Sequence, residues 1–164
     1  MPNAITIVRA GQVVPAYDKP TILDGAVAVM GDKIEAIGSF EELAAKYPNA
    51  ETIGSDDYLL IPGLINGHGH GRGLTDFQRG ALDNTLESWL FDTRKYVPVA
   101  PYDDLAMSAI RLLKSGVTTA MHNHLLINPA AFEEEFDEGL QAYKDAGMRV
   151  QFNPACLLYT SPSP

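Results

Sequence analysis

Between Leu64 and Phe152 the chain reads strand, helix, strand, helix, strand, and no other feature limits the fold as much. Leu64-Ile65-Asn66 is short and apolar and leads into a glycine-rich stretch from Gly67 to Gly73. Thr85 is placed to cap a helix running from Leu86 to about Tyr96. A second helix is expected from Tyr102 to Ser115. Asp103 and Asp104 open it, Lys114 lies in its last turn, and Leu105, Ala109, Leu112 and Leu113 recur at helical spacing. Val117-Thr118-Thr119-Ala120-Met121 is β-rich. Pro129 to Gly147 is again helical, with Phe132, Phe136, Leu140 and Tyr143 as its expected core stripe, and Arg149-Val150-Gln151-Phe152 is a third strand. Connections this long between successive strands specify parallel βαβ units, so the fold class is α/β.

The first sixty residues follow a different rhythm. Ile5 to Val8, Gln12 to Val14, Ala26 to Met30, Lys33 to Ile37 and Tyr58 to Ile61 are strand-like, with Gly11, Asp18-Lys19-Pro20, Gly31-Asp32 and Gly38 as punctuation. Ser39 with Glu42 three residues on is a capping-box pattern, which predicts a short helix from Phe40 to Lys46 before Pro48. Residues 1–61 therefore form a β-rich domain, and 62–155 the α/β part. The segment 156–164, ending Thr160-Ser161-Pro162-Ser163-Pro164, has neither period and is expected to be a non-native or disordered tail.

Charge narrows the function. The 21 acidic and 12 basic side chains give a net charge of −9, and no Lys/Arg cluster interrupts this balance. Nucleic acid and anionic membrane both require a basic surface, so neither is an expected partner. A single cysteine, Cys156, excludes a disulfide framework and every multi-cysteine zinc module. The opening Met1-Pro2-Asn3-Ala4 lacks the pattern of a signal peptide, and no apolar run reaches the length of a membrane span. A soluble, cytoplasmic protein is expected.

The chemistry lies in four histidines, arranged as two i, i+2 pairs: His68 with His70, and His122 with His124. Alternate residues of a strand face the same way, so each pair can aim two imidazoles at one point. Imidazole binds zinc, iron, nickel and copper, and three protein ligands plus an open position make a hydrolytic site. Two histidines alone do not complete such a site. The glycines at 67, 69, 71 and 73 suit either close passage of backbone beside a metal and substrate, or a flexible loop. They are not a phosphate loop, since no G-x-x-x-x-G-K-[ST] occurs. His122-Asn123-His124 invites comparison with HNH nucleases, but a strand-to-loop setting in an acidic chain argues against it.

Ile61-Pro62-Gly63-Leu64-Ile65-Asn66-Gly67-His68-Gly69-His70 resembles the P-G-[LF]-[IV]-[ND]-x-H-x-H signature of the metal-dependent amidohydrolase superfamily. Asp24-Gly25, the run Gly31 to Gly38 and Ile53-Gly54 look like the superfamily's N-terminal β-domain, and Ser115-Gly116-Val117-Thr118-Thr119 resembles the motif that opens its second barrel strand. The resemblance covers residues 3 to about 155. It implies a (β/α)8 barrel beside a small β-sandwich, with this chain holding about three of the eight units, since a whole barrel needs ~250 residues. It makes His68 and His70 the first two ligands of one divalent metal, zinc or iron. In the family such a metal activates water for attack on carbon bonded to nitrogen or halogen.

Gly73-Leu74-Thr75, Arg79-Gly80 and Leu86-Glu87-Ser88-Trp89-Leu90 look like the branch of nucleoside and heterocycle deaminases and triazine chlorohydrolases. That likeness suggests Glu87 and Trp89 as substrate-binding residues; read alone, they also fit a solvated first-turn carboxylate and a helix-core indole. His122 and His124 depart from the simplest family pattern. They are candidates for pocket-lining or supporting roles, with a loop position without function as the alternative. The family's remaining ligands and its proton-shuttling residues correspond to positions beyond residue 164, so the catalytic residues are unknown and the 164-residue polypeptide is expected to be inactive and poorly soluble by itself. The resulting expectation is a hydrolase of carbon–nitrogen bonds other than peptide bonds. It would deaminate an aminated heterocycle or nucleoside as a small-molecule substrate, and homo-oligomers are compatible with it. A chlorohydrolase or cyclic-amide hydrolase on the same scaffold, and a short non-catalytic metal-binding or assembly module, are the alternatives.

Overall fold

A computed structural model describes residues 4–82, 84–93, 95–96, 99–126 and 129–154. The chain divides between Pro62 and Gly63 into two compact units. No helix among the described residues is long and apolar enough to cross a membrane. The segment 156–164, expected to be a tail, lies outside the described residues.

The first unit is one four-stranded sheet covered by a helix. β1 (Ile5–Val13) pairs antiparallel with β2 (Ile22–Met30), which turns through Gly31-Asp32 into antiparallel β3 (Lys33–Ser39). After α1 (Phe40–Lys46), β4 (Glu51–Leu60) returns parallel to β1, giving the order β3-β2-β1-β4. The capping box forms as its spacing dictates. The Glu42 N–H donates to Ser39 Oγ at 3.2 Å, and the Ser39 N–H donates to Glu42 Oε2 at 3.3 Å. Leu43 of α1 packs on Ile7, Ala26 and Ala28, and the two small alanines allow the helix to lie close on the sheet.

The break expected at Gly11 is absent, because β1 runs through it as one strand. Gly11 is required instead by crowding, since a Cβ there would overlap the Asp56 carbonyl of β4. In the same place the β1–β4 register shifts between Ala10 and Gln12. β4 also begins at Glu51, earlier than the apolar run at Tyr58 suggests, because its first half is polar and exposed.

The second unit carries the three parallel strands. β5 (Leu64–Gly69), β6 (Val117–His124) and β7 (Arg149–Pro154) lie in that order, each pair parallel. Between β5 and β6 come a 3-10 turn at Phe77–Arg79, α2 (Leu86–Thr93) and α3 (Pro101–Lys114); α4 (Phe132–Asp145), after a 3-10 turn at Pro129–Ala131, links β6 to β7. The core is Leu105, Ala109, Ala120, Ala142, Tyr143 and Met148. Of the expected α3 stripe, Leu105 and Ala109 are buried and Leu112 and Leu113 are half-buried against the same core. On α4 the expected stripe is rotated: Phe132 and Leu140 are exposed, and the buried line is Glu135, Gly139, Ala142 and Tyr143. A glutamate in that line goes against apolar patterning, and the reason is a partner on β6 described below.

Candidate metal centre

All four histidines fall at or just past the carboxyl ends of parallel strands, the edge where α/β proteins place their sites. β5 extends further than its apolar residues suggest and takes in His68, with His70 one residue beyond its end. Its pairing with β6 slips between Asn66 and Gly69, and in that slip the His68 N–H donates to Asn66 Oδ1 at 3.1 Å. A bulge of this kind re-aims a side chain. The rings of His68 and His70 meet edge to face, with centroids 5.1 Å apart, and both residues are exposed.

The residue of β6 that reaches this pair is Asn123, which lies between the two histidines of the second pair. Its carbonyl oxygen is 2.9 Å from His70 Nδ1, and its side-chain amide nitrogen is 3.3 Å from His68 Nδ1. Strand alternation is the signal that could have identified it: if His122 and His124 point to one face, Asn123 points to the other. Its ladder partner Asn153 on β7 has a buried amide nitrogen with no hydrogen-bond partner among the described residues.

His122 and His124 occupy the strand itself, not a loop, and they face α4. His122 is 1% exposed and stacks on Phe152 with centroids 4.5 Å apart. Hydrogen bonds run through the pair in one direction. The Tyr143 hydroxyl donates to His122 Nδ1 at 2.8 Å, His122 Nε2 lies 3.3 Å from His124 Nδ1, and His124 Nε2–H donates to Glu135 Oε1 at 2.9 Å. Glu135 is therefore buried because a histidine awaits it. Desolvation pushes the His122 pKa down to about 3, with the neighbouring His124, His70 and Arg72 acting the same way. Burial pushes Tyr143 up to about 12. A neutral His122 is what a ring accepting at one nitrogen and donating at the other requires. A cavity of about 20 Å³, enough for one water, is lined by one histidine of each pair, His70 and His124, with Arg72 and Asp104.

The loop after His70 is fixed by packing. Gly71 has φ of 60°, and a Cβ on it would overlap the His122 ring; at Gly73 a Cβ would lie 2.6 Å from the Asp104 carbonyl oxygen. These two glycines are thus required by His122 and by α3, which is the close-approach reading with protein as the neighbour. Asp104 Oδ1 accepts the Gly73 N–H at 2.7 Å, its Oδ2 accepts from the Arg79 guanidinium at 2.7 Å, and Arg111 donates to the Gly73 carbonyl at 2.6 Å. Glu87 is exposed and Trp89 half-buried on α2; among the described residues neither makes a hydrogen bond or ring contact with the histidines.

Imidazole donors suit zinc or iron, and His70, whose Nδ1 faces a carbonyl that can only accept, keeps its Nε2 available to a metal, so His68 and His70 fit as part of a ligand set once the amide beside His68 turns its oxygen to Nδ1. They are two where a hydrolytic site uses three. Among the described residues no group of three or more His, Cys, Asp or Glu converges to hold an ion.

Residues 25–50 match the imidazolonepropionase-like composite domain of bacteria. Over 171 aligned positions the chain is 30% identical to 5-methylthioadenosine/S-adenosylhomocysteine deaminase 1 of Syntrophus aciditrophicus (strain SB), an alignment that takes in 100% of this chain and 36% of that protein. Its structure is similar to that of an adenosine deaminase from Xanthomonas campestris with bound zinc, at a TM-score of 0.71 and 25% identity, covering 90% of this chain and 33% of the other. An atrazine chlorohydrolase from Arthrobacter aurescens TC1, complexed with zinc and atraton, shares the fold at a TM-score of 0.66 and 24% identity, over 90% of this chain and 35% of that one. The chain belongs to the metal-dependent amidohydrolase superfamily. The relatives it resembles there are deaminases and a triazine hydrolase, and it spans about a third of the length of the curated proteins it matches.

Proposed function

We propose that this sequence belongs to a hydrolase of carbon–nitrogen bonds other than peptide bonds, one that deaminates an aminated heterocycle or nucleoside. The observation that carries the reading is the edge-to-face His68–His70 pair at the carboxyl end of β5, held at its Nδ1 atoms by Asn123 of the neighbouring parallel strand. In this reading β5, β6 and β7 are the first three strands of a (β/α)8 barrel, and residues 1–61 are the composite β-domain. His68 and His70 hold one divalent ion, zinc or iron, through Nε2. When bound, that ion supplies a nucleophile at neutral pH by lowering the pKa of water. The chain's own residues do the rest at this end of the site: Asn123 orients the rings, and Asp104 with Arg111 fixes the loop that follows them. Glu87 and Trp89 are carried as substrate contacts made by α2, the carboxylate accepting hydrogen bonds and the indole stacking on a ring.

The likeness to the atrazine chlorohydrolase favours a second reading, displacement of halide from a triazine on the same scaffold. One experiment separates them. The protein encoded by the whole reading frame containing this sequence is assayed with adenosine, S-adenosylhomocysteine, guanine, cytosine and chlorotriazines, with ammonia and chloride measured in parallel. Ammonia release that needs added zinc or iron, and that falls at least a thousandfold in His68→Ala and in His70→Ala, is expected. Chloride release without ammonia would transfer the assignment to the second reading. Neither product from any substrate would sink both.

A further inference from the structure

We propose that Asn123 is a positioning residue that fixes the tautomer of both histidines of the first pair; the inference rests on reading His68 and His70 as metal ligands. The two contacts come from one residue by different routes. The Asn123 main-chain carbonyl lies 2.9 Å from His70 Nδ1, and a carbonyl can only accept, so His70 carries its proton on Nδ1 and leaves the Nε2 lone pair free. The Asn123 side-chain amide lies against His68, with its nitrogen 3.3 Å from Nδ1. An amide presents an oxygen or a nitrogen to the same point by a half-turn about χ2, and which of the two faces a neighbour is fixed by the hydrogen bonds it makes. Ligation through Nε2 requires the half-turned amide: with its oxygen toward His68, Asn123 accepts from Nδ1–H, and His68 matches His70. With its nitrogen there, it donates to Nδ1 and moves the proton to Nε2, where it blocks ligation. The side chain of residue 123 thereby controls one ligand of the pair, while its backbone controls the other in every variant.

Two further observations place the residue in this role. Strand alternation puts Asn123 on the face opposite His122 and His124, whose nitrogens are engaged by Tyr143, by Glu135 and by each other, so neither can serve the first pair through those atoms. The β5 slip at Asn66, which re-aims His68, is closed by the Asn66 side chain on the His68 N–H. Backbone and ring of His68 are thus each held by a separate asparagine, one from its own strand and one from the next.

The test reads protonation directly, before any metal is added. Long-range proton–nitrogen correlation spectra of the metal-free protein encoded by the whole reading frame, labelled at histidine and recorded above pH 8, are expected to show Nδ1–H for both His68 and His70. In Asn123→Ala, His68 should change to the Nε2–H form while His70 stays Nδ1–H, because its acceptor is main chain. Asn123→Asp, which can only accept, should restore the wild-type pattern at His68. Zinc affinity, measured by calorimetry on the same three proteins, should fall about 10- to 100-fold in Asn123→Ala and recover in Asn123→Asp. Amide spectra that retain the β6 pattern confirm that each variant is folded. An unchanged His68 tautomer in Asn123→Ala, or Nε2–H on either ring of the wild type, would overturn the proposal. If the tautomers behave as expected but zinc binds the wild type and a His68→Ala variant equally, the ligand reading fails while the control of tautomer by Asn123 stands.

Discussion

Arg79→Ala is expected to lower the stability of the unit that begins at Gly63 by about 3–5 kcal/mol, the range for breaking a buried ion pair from one side. Arg79 and Asp104 are 7% and 11% exposed at their side chains, and their charged atoms are 2.7 Å apart. Removing the guanidinium leaves the Asp104 carboxylate largely shielded from water, supported among the described residues by the Gly73 and Leu74 N–H groups. The loss should also loosen the 71–80 loop from α3, because the Arg79–Asp104 pair is one of the ties between them, beside the bonds of Asp104 and Arg111 to Gly73. Urea unfolding followed by circular dichroism checks the size. A double-mutant cycle with Asp104→Asn isolates the pair from the packing of the Arg79 stem. A destabilisation below about 1 kcal/mol would mean that the pair behaves as if it were at the surface.

The second large effect is acid sensitivity. Unfolded His122 takes up a proton near its ordinary 6.5, whereas folded His122, buried against Phe152 and Tyr143, does so only near 3. Between those values the unfolded chain holds the extra proton, so stability falls as pH falls, by about 1.4 kcal/mol per pH unit for this one group. Above pH 6.5 its contribution is fully present, and the loss is complete once pH has passed below about 3. The charged and titratable groups facing it are His124 on its own strand, Tyr143 on α4, and His70 and Arg72 on the segment after β5. Urea midpoints of wild type and His122→Gln, compared at pH 7.5, 5.5 and 4.5, test this. The variant should be less stable at neutral pH and show a shallower decline toward acid. Parallel declines would assign the acid sensitivity to other groups.

What was legible in the sequence follows from which forces are local. The capping box at Ser39, the extent of α3 and the parallel order of the last three strands depend on short-range pattern, and they formed where pattern put them. The rotation of α4 did not, because Glu135 is drawn inward by His124 across a tertiary contact that apolar periodicity cannot register. Gly11 misled for a similar reason. Glycine marks a turn or a close approach with the same letter, and only the position of Asp56 distinguishes them. At the candidate site, the H-x-H pattern directed attention to His68 and His70 and to His122 and His124 in equal measure. The strands give the two pairs different surroundings, one exposed on the sheet's open side and one sealed beneath α4. Asn123 is marked in the sequence only by strand alternation, which sets it on the face opposite His122 and His124. Its importance comes from the register of β6 against β5.

The alternation along the end of β6 also sets rules for how this segment can vary in evolution. Position 124 answers to position 135, and position 122 to position 143, because each couple shares a buried hydrogen bond that a change on one side would break. Position 123 answers to neither. A set of homologous sequences should therefore show substitutions at 124 and 135 arriving together, and likewise at 122 and 143, while residue 123 drifts only among side chains that can accept a hydrogen bond from the ring at 68. Three consecutive letters would thus belong to two independent inheritance groups, interleaved.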